Sequence, residues 1–244
     1  MATIVDERGY NQIFAPSPAQ ELRLRRRAQA IIDALPAPVA GEQRRILELG
    51  CGTGELAHML ATLTESRVTG VDLSERFLAQ ARASHQRPNL DFIRADLTRE
   101  VPAAGQQRYH AITGNGILHH LYHHLDTVLP ALLRWLEPGG RLVFWEPNLW
   151  NPYVWTIFTL GPARRAARLE PDEMAFTPAF IRRKLTAAGF GAIRIHTRDF
   201  LLPNTPDALI KPLVAVSNVL DRVPVVNRAA QSLFFVAEKA AGPG

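Results

Sequence analysis

Residues 46–57, Ile-Leu-Glu-Leu-Gly-Cys-Gly-Thr-Gly-Glu-Leu-Ala, decide the fold. Apolar Ile46, Leu47 and Leu49 read as a buried strand running straight into Gly50, Gly52 and Gly54, and a helix starts at once. Glycine at alternate positions lets the backbone turn sharply and approach a ligand with no Cβ in the way. The helix that follows aims its free N–H groups and positive dipole end at the same spot. A second strand, Arg67-Val-Thr-Gly-Val-Asp72, ends on a carboxylate eighteen residues after Gly54, placed to accept hydrogen bonds from ribose hydroxyls. Together these features describe a nucleoside-binding crevice.

Beyond that turn the text keeps alternating. A capped helix is expected at about 18–35, ended by Pro36-Ala-Pro38. Strand 44–49, helix 54–64, strand 67–72, helix 75–84, strands 90–95 and 108–114, helix 124–136 and strand 141–146 follow. This rhythm implies an α/β fold with a mostly parallel sheet covered on both faces. Residues 148–176 break it and read as an insertion above the strand ends, where loops shape pockets. Thr177-Pro178 then opens a helix that Gly189 stops, strand 192–199 follows, residues 200–229 form a second proline-bearing insertion, and Gln231 to Lys239 is the last strand. The expected division is an N-terminal helical lid segment, 1–41, and a ligand-binding domain, 42–244.

The glycine spacing separates two cofactor classes. A dinucleotide fingerprint needs glycine at position 55, where this chain has Glu55. The tighter pattern from Glu48 to Gly54, Glu-x-Gly-x-Gly-x-Gly, resembles the first motif of class I S-adenosylmethionine (SAM)-dependent methyltransferases of the small-molecule type. Later segments fit the same family in order, closely over residues 42–147 and loosely over 177–239. The resemblance implies a seven-stranded, mostly parallel sheet of order 3-2-1-4-5-7-6 with the last strand antiparallel, and SAM as cofactor.

It also implies roles. Glu48 orders the loop and the amino end of the methionine moiety, while Gly50, Gly52 and Gly54 give the backbone close passage. Asp72, with Leu73 beside it, holds the ribose. Asp96 reaches the exocyclic amine of adenine, and the Leu97 backbone completes that contact. Asn115 and Gly116 line the methyl end, and Tyr10, near Phe14, belongs to an aromatic segment that closes over the cofactor. Each carboxylate also has a plainer reading: Asp72 as a cap before Ser74, Asp96 as a turn cap. His110 stands where relatives often carry an acid, a departure from the pattern.

His119, His120, His123 and His124 invite a metal reading, because residues i and i+4 share a helical face. No metal is expected: no Glu follows in a His-Glu-x-x-His order, and no cysteine or carboxylate pair stands near in sequence. His119 or His120 instead suits a general base for a hydroxyl or amine acceptor, with packing or cofactor contact as the competing role for His120. Glu146, in Glu146-Pro-Asn148, is either pocket chemistry or a strand cap.

Composition bounds the rest. The chain has 244 residues, 47% of them hydrophobic, and a net charge of +5. That fits one folded domain with insertions. A single cysteine, Cys51, excludes an internal disulfide, and the first residues lack a secretory signal, so a cytoplasmic setting is expected. No apolar run approaches the ~20 residues needed to span a bilayer. Arginine clusters at 23–27 and 164–168 and the basic run 182–184 read first as solvated helix faces; aromatics do not interleave with them, so no nucleic acid is expected. Trp150, Tyr153, Trp155 and Phe158 beside Arg164, Arg165 and Arg168 suit a small or lipid-like acceptor, a peripheral membrane contact or a homodimer interface. The functions in play are SAM-dependent methyl transfer to oxygen, nitrogen or carbon, an NAD(P)-dependent oxidoreductase, and a non-catalytic SAM-fold binding protein.

Overall fold

A computed structural model describes residues 17–38, 41–98, 108–201, 205–220, 223 and 225–241, and the backbone of two short strands at 4–5 and 11–12. Those two, β1 (Ile4–Val5) and β2 (Asn11–Gln12), pair antiparallel. Tyr10 lies outside the described residues, so its expected role is without a structural counterpart.

Helix α1 (Pro18–Ala34) opens on a reciprocal cap: the Gln20 N–H donates to Ser17 Oγ at 3.1 Å and the Ser17 N–H donates to Gln20 Oε1 at 3.4 Å. Pro18 at the first helical position has no N–H to leave unpaired. The helix buries Ala28 and Ile31 against the same core as β3 and α2.

The main sheet has seven strands. In chain order they are β3 (Arg45–Leu49), β4 (Arg67–Asp72), β5 (Leu90–Arg94), β6 (Tyr109–Asn115), β7 (Leu136–Pro147), β8 (Gly191–Arg198) and β9 (Ser232–Glu238). Their spatial order is β5-β4-β3-β6-β7-β9-β8, with β9 antiparallel to both β7 and β8 and the other pairs parallel. Numbered from β3, this is the expected 3-2-1-4-5-7-6. Helices α2 (Glu55–Thr64), α3 (Glu75–Ser84), α4 (Leu125–Trp135) and α7 (Pro178–Ala187) cover the sheet.

Two cores result, one on each face. Leu47, Leu49, Ile112, Phe144 and Phe235 pack under α4 and α7, while Ile46, Val68, Val143 and Phe234 pack under α1 and α2. Adjacent residues of β3 thus point to opposite cores, which is why the strand reads as an unbroken apolar run. Each such fully buried side chain contributes about 1.5–3 kcal/mol.

Most boundaries shift by a residue from the sequence reading, and the larger departures are these. Strand β7 begins at Leu136 rather than 141: Leu136 pairs with Tyr109, and the Pro138-Gly139-Gly140 stretch forms an irregularity within the strand, with Gly139 at φ +75°. A 3-10 segment, Leu118–His124, precedes α4, so the helix starts at Leu125. The insertions are ordered as helices: α5 (Pro152–Thr159) and α6 (Gly161–Ala167) in the first, α8 (Asp207–Leu220) and a 3-10 turn Val226–Ala229 in the second. Asn151 and Asn148 tie the two together, donating to the Ala229 carbonyl at 2.6 Å and to the Ala230 carbonyl at 2.7 Å. Among the described residues, no helix is long and apolar enough to cross a membrane.

Candidate functional site

The three glycines of the β3–α2 turn all have positive φ, yet they serve different ends. A Cβ on Gly50 (φ +61°) would lie 2.6 Å from Ile117 Cδ1, and one on Gly54 (φ +88°) 2.7 Å from Phe92 Cζ. Packing forbids side chains there. A Cβ on Gly52 (φ +53°) would meet nothing within 4 Å. There the positive φ, not packing, favours glycine, and the space beside the turn is open.

Asp72 closes the turn. Its Oδ2 accepts from the Gly52 N–H at 2.9 Å and its Oδ1 from the Ser74 N–H at 2.9 Å. Ser74 in turn caps α3, accepting from the Phe77 N–H. Loop clamp and helix start are therefore one carboxylate, which is the plainer, capping reading of Asp72.

Glu48 is 2% exposed on β3. Burial, then the charges of Glu55 and Asp72, push its carboxyl well above the ordinary range. Its Oε2 has no hydrogen-bond partner. A buried oxygen without a donor costs about 1–3 kcal/mol. An ammonium group brought to this turn would supply the donor and favour the carboxylate.

The other expected residues lie along the same strand ends. Asp96 Oδ1 accepts from the Thr98 N–H at 2.9 Å and hydroxyl at 2.6 Å, the turn-capping geometry. Leu97 packs against the core, whereas Leu73 is 39% exposed and its carbonyl accepts from Arg94 Nε. At the end of β6, Asn115 Oδ1 accepts from Arg27 Nη1 at 2.7 Å, and the Gly116 N–H (φ +77°) donates to the Trp145 carbonyl.

Arg27 corrects the view of residues 23–27 as a solvated face. Its Nη2 donates to Asp199 Oδ2 at 2.8 Å and to Ser232 Oγ at 2.6 Å, and its guanidinium sits 5.1 Å from the Trp145 ring centre. Arg23 joins it on Asp199 at 3.0 Å. Burial and the neighbouring Arg27 push Arg23 down to about 10 despite Asp199. Burial alone would raise Asp199, but Arg27 and Arg23 hold it below the usual carboxylate range. Arg164 likewise turns inward, donating to the carbonyls of Phe158, Glu170 and Glu173. Arg25 and Arg165 remain exposed.

The histidine pair is where the fold adds most. Glu146, at the end of β7, is fully buried and accepts three backbone N–H bonds, from Ile117 (3.0 Å), Leu118 (2.7 Å) and His119 (3.2 Å). Its Oε2 also lies 2.9 Å from His119 Nδ1. A carboxylate already accepting N–H bonds fixes that proton on Nδ1 and leaves the lone pair on Nε2. Glu146 thus caps the segment after β6 and orients the His119 imidazole.

His120 Nδ1 lies 3.1 Å from Glu173 Oε1 and 3.6 Å from Glu170 Oε2, residues of the first insertion. Burial alone would lower His120, but the two carboxylates outweigh it and push the imidazole up to about 9. The His119 and His120 rings lie 4.2 Å apart, tilted by 39°, and His119 meets Phe158 edge-on at 6.0 Å. His119 Cε1 is 3.5 Å from where a Gly116 Cβ would stand, so the cluster borders the turn after β6. His123 and His124 are exposed and take no part in it.

Glu170, Glu173, Arg27 and Asp199 carried no sequence signal beyond their charge. Within the first insertion, the Met174 N–H next to Glu173 donates to the His119 carbonyl at 3.1 Å and helps to hold the acids beside the histidines. A cavity of about 560 Å³ lined by Arg67, Arg82, Asp91 and Tyr109 lies at the β4–β5 edge, and none of the expected site residues lines it.

The family profile described as "Methyltransferase domain" matches residues 46–140. A trans-aconitate 2-methyltransferase from Streptomyces avermitilis is 36% identical over 160 residues, 61% of this chain and 58% of that protein. A malonyl-[acyl-carrier protein] O-methyltransferase from Halalkalibacterium halodurans is 33% identical over 129 residues, 50% of this chain and 46% of that protein. The chain thus spans about half the length of these relatives. Among solved structures, an S-adenosylmethionine-dependent methyltransferase from Mesorhizobium loti superposes with a TM-score of 0.60 at 23% identity, covering 91% of this chain and 98% of that one. The glycine turn, the strand order and the domain matched over residues 46–140 together support a class I S-adenosylmethionine-dependent methyltransferase.

Proposed function

We propose that this protein transfers a methyl group from SAM to an oxygen, nitrogen or carbon atom of a small metabolite. The observation that carries the reading is the β3–α2 turn: open space over Gly52 beside a buried Glu48 oxygen with no donor. When bound, the sulfonium of SAM supplies an activated methyl group that leaves by in-line displacement. The protein's part is then to position and to exclude water, and positioning provides most of the rate.

In this reading Glu48 receives the ammonium end, Asp72 with Leu73 the ribose, and Asp96 with the Leu97 backbone the adenine. Asn115 and Gly116 border the methyl end, with Asn115 held by Arg27 from α1. His119 and His120 face the acceptor, where His119 offers the Nε2 lone pair that Glu146 leaves it. Relatives named for trans-aconitate, malonyl-[acyl-carrier protein] and demethylmenaquinone support an acceptor that is a small molecule or carried by one.

The nicotinamide alternative meets a charge as well as a missing glycine. Glu55 begins α2, and both its carboxylate oxygens lie 2.7 Å from Thr53 Oγ1. A diphosphate drawn to that helix end would meet a carboxylate. Calorimetry separates the readings: S-adenosylhomocysteine binds with micromolar affinity and NAD does not. Folded protein with no affinity for SAM or S-adenosylhomocysteine would refute the proposal.

A further inference from the structure

We infer that His119, His120 and Glu173, with Glu170 at the flank, form a site for a divalent first-row transition ion of the zinc or manganese class. The role assigned to that ion rests on the methyl-transfer reading. One donor atom from each of His119, His120 and Glu173 lies within 4.8 Å of the others. Two imidazoles and a carboxylate are the donor set such ions take, and a hard calcium ion would not.

Two independent observations point to an ion rather than to a packed ion pair. The first is the alignment of His120. Its Nδ1 is buried and stands 3.1 Å from a Glu173 oxygen without a well-formed hydrogen bond between them. A ring nitrogen and a carboxylate oxygen side by side in this way can both turn to a shared cation. The second is Glu146. Ligating histidines commonly give their other ring N–H to a carboxylate, which fixes the tautomer and aims the free nitrogen. Glu146 does this to His119 at 2.9 Å from a fully buried position.

The sequence expectation of no metal rested on the lack of carboxylates near the histidines. The fold removes that ground, carrying Glu170 and Glu173 across the first insertion to within 3.6 Å of His120. Since His119 borders Gly116, an ion held there would stand at the methyl end of the cofactor cleft. With the His119 Nε2 lone pair given to the ion, the ion in place of that imidazole would seat carboxylate or hydroxyl oxygens of an acceptor, which assigns the acceptor to the oxygen-bearing class.

The test uses the full chain, stripped with a chelator and titrated with Co²⁺, Zn²⁺ and Mn²⁺, following heat and the visible absorption of Co²⁺. One equivalent is expected, with a Co²⁺ band showing nitrogen ligation. Glu173→Gln, close in size and shape, lowers affinity at least tenfold, and Glu146→Gln lowers it by about 10–100-fold. His123→Ala/His124→Ala, at exposed positions, leaves affinity within twofold. Far-UV circular dichroism checks each variant's fold, and Glu170→Gln stands in for any that fails. Uptake of no ion, or equal uptake by folded Glu173→Gln, overturns the site. S-adenosylhomocysteine affinity is read in the same samples: retained with no ion bound, it sinks the metal alone; lost in folded wild-type protein, it sinks the methyl-transfer reading.

Discussion

The two halves of the proposed site, one for the cofactor and one for the acceptor, are built in different ways. The cofactor half runs from Glu48 to Leu97, and its turn, clamp and strand ends follow one another along the chain. The acceptor half gathers Asn115 to His120, Glu146, Glu170 and Glu173, with Arg27 and Asp199 behind them. The first is held by backbone conformation and the second by buried charge. Substitutions should therefore fail differently in the two places.

The largest effect is expected behind the acceptor half. Asp199→Ala leaves Arg23 and Arg27 buried without their shared carboxylate, and removing one partner of such a group costs about 3–5 kcal/mol, read by urea unfolding. A loss under about 1 kcal/mol would show that this half does not depend on buried charge. The same residue gives a pH signature. Its folded pKa lies below the ordinary value, so its contribution is complete above the unfolded carboxylate range, near pH 4, and fades as pH falls through the lower folded value. Asp199→Asn should accordingly flatten the acid limb of the stability curve below about pH 4 and leave its neutral-to-alkaline shape alone.

Within the cofactor half, Gly50→Ala combines positive φ with a 2.6 Å clash against Ile117 and should cost about 3 kcal/mol. Gly52→Ala sharpens the contrast: it costs only about 1 kcal/mol, from backbone strain. Yet it should weaken S-adenosylhomocysteine binding tenfold or more, because its methyl enters the open space. Equal binding by Gly52→Ala and wild type would mean that the ligand does not pass there. The smallest effect belongs to Arg25→Ala, whose exposed pair with Glu21 on α1 contributes about 0.3 kcal/mol. If it matched Asp199→Ala, the distinction between inward and outward arginines on that helix would fail.

The same contrast explains what could be read from the sequence. The strands and the glycine turn were legible because backbone geometry writes itself in local residue choice: positive φ selects glycine, and a doubly covered strand selects an apolar run; the order of the strands came only with the family resemblance. Thr177-Pro178 and Gly189 marked α7 for the same reason. The acceptor cluster was not legible, since Glu173 is far from His120 along the chain and nothing in its neighbours records the meeting. Arg27 looked like Arg25 because position on a helix face, not residue type, decides which of them turns inward. The Pro138-Gly139-Gly140 stretch read as a turn although it is an irregularity inside β7, since pairing with Tyr109 across the sheet overrides the local signal.

The place of β9 has a consequence for biosynthesis. This strand is the last described element, yet it sits between β7 and β8 and fills the middle of that flank. Until it emerges from the ribosome, β7 presents an open, apolar edge, and β8 has no neighbour to pair with. The acceptor-bearing flank can therefore consolidate only after nearly the whole described chain has been synthesised, a late closure of distant segments that is slow and exposed to aggregation on the way.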